Sequence, residues 1–372
     1  MTKYIGLKLL STVADQRLCK LKLNNYAELT KQGTPRLENK GLVDDDLDVL
    51  IEVIKQNADL ETLYLWNNYW MEENRNKLTL ADGKFANAIA KNTTIKRLDL
   101  SYNNISLRGI AHLAAALKNN NTLEVLSLGD NNIGDEGARC IADMLAVNKT
   151  LQDIDLAGNN IGDEGAKCIA EMLGVNKTLQ KINLGGNNIG PQGIKHLANA
   201  LKVNNTLQIL QIGSNNIDDE GVKCVADMLA VNKSLQKITL SWNNIGDKGA
   251  QSLATSLVLN TGIREINLNV NKIGDKGAKK LLEALETNHS IKDLDLSGNY
   301  NISKDLMDRI NAIVNDRKRK EAFKAMLLFR QEKKEMGDFL RQLSAGLSAP
   351  PLTDQEKKEK ERFLLFIGVL MK

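Results

Sequence analysis

The chain has 372 residues, 42% of them hydrophobic, which is enough to bury a substantial core and excludes disorder over most of its length. Its 50 basic and 46 acidic residues leave a formal charge of +4 spread along the chain, without the concentrated basic footprint of a nucleic-acid binder. The longest apolar stretch, Phe363 to Met371, is shorter than the roughly 18 residues a membrane helix needs, and Met1 to Lys20 has no signal-peptide core; the expectation is a cytosolic chain without integral membrane association.

Two loose repeats come first, Leu18-Leu21-Leu23 and Leu60-Leu63-Leu65-Asn68, each followed by an insertion. Beyond them Ile95, Leu123, Leu151, Leu179, Leu207, Leu235, Ile263 and Ile291 form one column at a spacing of 28 residues. Eight copies in register define a repeat architecture. Within a copy, the alternation Leu126-Ser127-Leu128 predicts a short strand with leucines inward and the residue between them outward. A helix follows. Gly134-Asp135-Glu136-Gly137 puts acids where a helix N-terminus favours negative charge, and Ala138, Ile141, Ala142 and Leu145 form its apolar stripe. Asn148-Lys149-Thr150 closes the helix and turns the chain toward the next strand.

Strands stack about 4.8 Å apart, whereas helices need about 8 to 10 Å each. The stack must therefore curve. The expected fold class is α/β, a horseshoe solenoid over residues 1–302 with parallel strands inside and helices outside. The column Asn103, Asn131, Asn159, Asn187, Asn215, Asn243, Asn271 and Asn299 reads as structural, its amides bonding turn backbone; an asparagine-lined binding stripe is the alternative.

The register breaks at Tyr300. A helix using Leu306, Ile310 and Ile313 should cap the last repeat, because an open solenoid end exposes core. Arg317 to Lys320 is basic, and Ala322 to Leu343 reads as one or two further helices using Phe323, Met326, Leu327, Phe339 and Leu343. Residues 303–348 are thus a helical cap and extension, and Pro350-Pro351 sets off a charged and apolar tail over 349–372.

Repeats of the form L-x-x-L-x-L-x-x-N-x-I with G-D-E-G-A helix starts resemble the ribonuclease-inhibitor-like leucine-rich repeats, over about Leu18 to Arg319. The resemblance implies recognition of a protein by the concave strands and the adjoining loops, and inhibition of an enzyme by covering its active site. In the tail, Glu356, Glu359 and Glu361 precede Phe363-Leu364-Leu365-Phe366, which resembles the C-terminal translocation signals of Legionella Dot/Icm type IV effectors. That implies delivery from a bacterium into a host cytosol; an amphipathic helix docked on the solenoid explains the same residues.

Several features imitate chemistry. His112, Cys140, Cys168, His196 and Cys224 share one repeat position, but residues on neighbouring helices are too far apart for one metal ion or a disulfide, so they read as side chains packed between helices. With Cys19, the cysteines fit a reducing compartment. Triplets such as Asn148-Lys149-Thr150, Asn176-Lys177-Thr178 and Asn232-Lys233-Ser234 match glycan acceptors, yet they recur because the helix-to-strand turn recurs. The only histidines are His112, His196 and His289, and no nucleophile with a base, paired acids or phosphate loop emerges. The expectation is a protein that is not an enzyme and takes neither cofactor nor metal.

The residues flanking the inward leucines predict the concave surface: Tyr64, Trp66, Arg97, Asp99, Tyr102, Asp130, Asp153, Asp155, Lys181, Gln211, Lys237, Trp242 and Glu265, with Tyr69 and Trp70 in the adjacent loop. Aromatics are only 4% of the chain, so their concentration here marks candidate anchors. The expected partner is a folded protein, an enzyme of the host or another effector, and not nucleic acid. A scaffold or immune-sensor-like recruiter is the alternative.

Overall fold

A single strand-helix repeat cannot bury its own apolar faces, so stability comes only from stacking copies. The computed structural model describes residues 42, 44, 47–56, 60–67 and 78–344. The chain divides into two units, Met1–Val314 and Asn315–Lys372.

The first unit starts with helix α1 (Leu47–Gln56) and then alternates: β1 (Thr62–Tyr64), α2 (Lys84–Lys91), β2 (Arg97–Asp99), α3 (Leu107–Leu117), β3 (Val125–Ser127), α4 (Gly134–Leu145), β4 (Asp153–Asp155) and α5 (Asp163–Val175). It continues with β5 (Lys181–Asn183), α6 (Pro191–Leu201), β6 (Ile209–Gln211), α7 (Asp219–Val231), β7 (Lys237–Thr239), α8 (Asp247–Leu259), β8 (Glu265–Asn267), α9 (Asp275–Thr287) and β9 (Asp293–Asp295). The nine strands form one parallel, unclosed sheet in sequence order. Leu98 pairs with Leu126, Leu126 with Ile154 and Ile154 with Ile182, so each copy repeats the register of the last. The expected curved solenoid, strands inside and helices outside, is the fold observed.

Its core is one continuous cluster. Leu126, Leu128, Ala138, Ile141, Ala142 and Leu145 are all buried, as the periodicity predicts, and Met144 joins them. The loose repeat at Leu60-Leu63-Leu65 forms β1, with all three leucines buried. Its consensus Asn68, the copy at Leu18 and the tail 349–372 lie outside the described residues.

The sequence left room for a break after the terminal cap. Instead, one helix, α10, runs Lys304–Ser344. Nothing between Asn315 and Lys320 breaks a helix, since the basic run contains neither glycine nor proline. Leu306, Ile310 and Val314 are buried in the first unit's core and Ile313 is partly buried against it. In the second unit Phe323, Met326 and Phe329 are exposed.

Candidate functional site

Each strand gives two outward residues to the inner face. The first row reads Thr62, Arg97, Val125, Asp153, Lys181, Ile209, Lys237, Glu265 and Asp293, and the second Tyr64, Asp99, Ser127, Asp155, Asn183, Gln211, Thr239, Asn267 and Asp295. Most are half-buried, and Arg97 is exposed. Two pairs of predicted site residues hold each other: Lys181 Nζ lies 3.0 Å from Asp153 Oδ2 and Lys237 Nζ 2.6 Å from Glu265 Oε2. Each pair joins adjacent strands across one step of the repeat. In the second row Asp99 accepts from Ser101 N at 3.0 Å and Asp155 from Ala157 N at 2.9 Å. These carboxylates brace the turn below them.

Tyr102, Asp130 and Trp242 do not sit on strands, as the sequence reading implied, but on the turn that leaves them. Their backbones are left-handed, with φ of 58°, 55° and 54°. The same turn position carries Gly158, Gly186 and Gly298 at φ of 65°, 63° and 73°, Ser214 at 52° and Val270 at 49°. Glycine reaches this conformation freely, whereas a large or β-branched side chain there costs on the order of 1 kcal/mol or more. Yet Tyr102 is 45% and Trp242 62% exposed, so neither position is repaid by core burial. The Tyr102 hydroxyl donates to the Asp130 carboxylate, and that bond, the charge itself, burial and the more distant Asp155 together hold its phenol above the usual range. A Cβ on Gly158 would come within 2.3 Å of Asp130 Oδ1, so Asp130 lies across the next repeat's turn.

In this row Gly158 and Gly186 carry no side chain of their own, the Asp130 carboxylate lies across Gly158, Tyr102 stands at one end, and Ser214, Trp242 and Val270 follow at the other. Five repeats separate the aromatics, on the order of 24 Å at ~4.8 Å per strand. Val270 and the place of the glycines in this row were missed from sequence, although the glycines of that column were visible. Trp66 and Tyr64 are half-buried at the sheet's N-terminal end, while Tyr69 and Trp70 lie outside the described residues.

The remaining candidates resolve into structure. Asn159 Nδ2 donates to the carbonyls of Leu128 at 2.9 Å and Ala157 at 3.0 Å, and its Oδ1 accepts from Asn131 N at 2.9 Å and Ile133 N at 3.3 Å. Its neighbours in the column do the same and are buried or half-buried, so the binding-stripe alternative fails. Asn148 likewise donates to Leu117 O at 2.7 Å and accepts from Leu151 N at 2.8 Å while 5% exposed, which bears out the turn reading of the triplets. Cys140, Cys168 and Cys224 are unpaired and partly buried against the core, His112 is half-buried, and His196 is exposed rather than packed. Burial and the nearby Glu171 push the Cys168 thiol up, away from a reactive thiolate. Among the described residues no three His, Cys, Asp or Glu side chains are placed to hold a metal.

The family described as Leucine Rich repeat matches residues 91–114, 119–142, 147–170, 175–198, 203–226, 231–254 and 260–282. The chain is a leucine-rich-repeat protein. Its matched repeats carry β2 to β8 and the turn row from Tyr102 to Val270. No curated protein matches the chain. Among solved structures, this leucine-rich-repeat protein is similar to leiomodin-1 actin-binding site 2, at 18% identity over 61% of this chain and 98% of that one (TM-score 0.31). It is similar to the tropomodulin C-terminal domain of Caenorhabditis elegans at 13% over 52% and 98% (0.35), and to TLR13 in complex with ssRNA13 at 16% over 66% and 33% (0.39). None of the three carries an inference about what this chain binds.

Proposed function

We propose that this protein-binding solenoid grips a folded enzyme in its concave face, without chemistry of its own, and inhibits it by covering the active site. The observation that carries the reading is the left-handed turn row. Tyr102 and Trp242 occupy costly backbone positions, stay exposed, and bracket a stretch of the row that includes Gly158 and Gly186, where a protruding partner element can meet the two aromatics and the Asp130 carboxylate. Tyr and Trp are the residue types that dominate interface energetics. A sheet of nine strands offers enough surface for the roughly 800 Å² per partner of a standard interface.

The test starts with proteins captured by the full chain. Trp242→Ala and Tyr102→Ala should each weaken binding about 30-fold by calorimetry, the equivalent of ~2 kcal/mol for an interface anchor, and the wild type should suppress activity of the captured enzyme. Unchanged affinity in both variants overturns the concave-face reading, and a bound but fully active enzyme leaves a scaffold in place of an inhibitor.

The proposal extends to origin. Glu356, Glu359 and Glu361 ahead of the apolar end support a bacterial effector acting on a host protein or on another effector. A translocation reporter fused to the chain should lose delivery when Gln355 to Lys372 is removed; equal delivery overturns it.

A further inference from the structure

Val147, Val175, Val203, Val231 and Leu259 occupy one repeat position, at the end of a helix or two residues beyond it. They are 53%, 61%, 69%, 57% and 71% exposed. Single exposed aliphatic residues are ordinary, but five in line along one edge are not. Local structure gives no reason for them. The apolar stripe of each helix is complete without them, and β-branched residues are not favoured at exposed helix ends.

The charge of this edge is as uneven as its hydropathy. Lys118, Lys149, Lys177, Lys202 and Lys233 are exposed beside the stripe, and residues 118–121, 146–149, 174–177, 202–205, 230–233 and 258–261 contain no acid. Among the described residues none of the five lysines is in an ion pair. Lys202 reaches Asn199, and Lys233 the carbonyls of Ala230 and Leu259. Within these copies the nearest helix acids, Asp143, Glu171 and Asp227, lie a full turn earlier, and the copy after Leu259 ends the acid-free run with exposed Glu286. The opposite ends of the helices carry exposed Glu136, Glu164 and Glu220 in the middle copies and exposed Arg108, Lys248 and Lys276 in the outer ones, so the contrast between the two edges is greatest in the middle of the stack. The helix dipole explains lysines at C-termini. It does not explain valines.

Shape selects the occupant. Equivalent positions of a curved stack trace an arc, which a flat surface can meet along its length but a straight peptide helix only at a few points. We propose that this edge docks peripherally on an anionic lipid bilayer, with the valines and Leu259 entering the headgroup boundary and the lysines meeting anionic headgroups. Such docking needs no spanning segment, and among the described residues no helix is long and apolar enough to cross a membrane.

The full chain should sediment with phosphatidylcholine vesicles containing phosphatidylserine, not with phosphatidylcholine alone, and salt should weaken the binding. Each lysine at an anionic surface is worth about fivefold in partitioning, so K149Q/K177Q/K202Q should lose on the order of a hundredfold. V147S/V175S/V203S/V231S should lose at least about tenfold with an unchanged far-UV spectrum, while E136Q/E164Q/E220Q should bind as the wild type does. Absence of sedimentation with the anionic vesicles, or undiminished binding in both edge variants, overturns the proposal. So does an acidic amphipathic peptide that binds this edge when vesicles do not. Trp242→Ala should sediment normally, so this reading and the concave-face reading fail separately.

Discussion

Asn159 is one residue holding two repeats. Its amide donates to carbonyls in its own turn and in the preceding strand exit, and its oxygen accepts two backbone N–H groups of the preceding loop, all within a buried environment. Three-residue strands leave these groups without sheet partners, and an unpaired buried polar group costs ~1 to 3 kcal/mol. Asn159→Ala should therefore lower stability by about 3 kcal/mol or more, whereas Asn205→Ala, at an exposed turn position, should stay within about 0.5 kcal/mol of wild type. Urea midpoints of the two variants check this, and equal midpoints would contradict the structural role. Recurrence in the sequence was enough to mark the column as structural. The partners were not legible, because they lie 2, 26, 28 and 31 residues away and depend on the stacking itself.

At the scale of one strand or one turn, the sequence read some features fully and others only in part. Period-two alternation placed Arg97, Asp99, Asp153, Asp155, Lys181, Gln211, Lys237 and Glu265 on the outward face, where the strands hold them. It did not pair Asp153 with Lys181 or Lys237 with Glu265, although each pair occupies one column a repeat apart, and in a parallel stack the same column means adjacent side chains. Such half-exposed pairs add little stability; each neutralises opposite charges on the inner face. The turn row was also within reach: Gly158, Gly186 and Gly298 share the column of Tyr102 and Trp242, and a column that accepts glycine three times signals positive φ. Reading these residues as strand positions missed that signal. The exposed valines escaped because an aliphatic residue near a helix end looks like core until its exposure is known.

The whole solenoid is coupled by a feature that the acidic helix starts only half disclosed. Asp135, Asp163, Asp219 and Asp247 do not cap their own helices. Asp163 Oδ1 accepts from Gly190 N and Gly193 N of the following repeat at 2.8 Å each, and Asp219 and Asp247 do the same two and three repeats further on. The capped helices start at Gly162, Gly190, Gly246 and Gly274, which have no side chain to cap with. The second glycine is required too, because a Cβ on Gly193 would stand 2.6 Å from Asp163 Oδ1. Within the run from Asp135 to Asp275 one rung is missing. Pro191 replaces the aspartate, and in the next repeat Asp218 replaces glycine and caps its own helix through Gly221 N at 2.9 Å. A lost cap costs ~1 kcal/mol, within 0.5 to 2. Asp163→Ala and Asp218→Ala should each cost about that much, with Asp163→Asn milder because it keeps an acceptor. In the double variant P191D/D218G the missing rung should be restored, recovering most of what Asp218→Gly alone removes. Solenoid stability is close to a sum of repeat and nearest-neighbour terms, so Asp163→Ala, which cuts a bond between repeats, should also broaden the urea transition, whereas Asp218→Ala should shift it without broadening. Two identical transition shapes would show that the cross-repeat cap adds stability but no coupling.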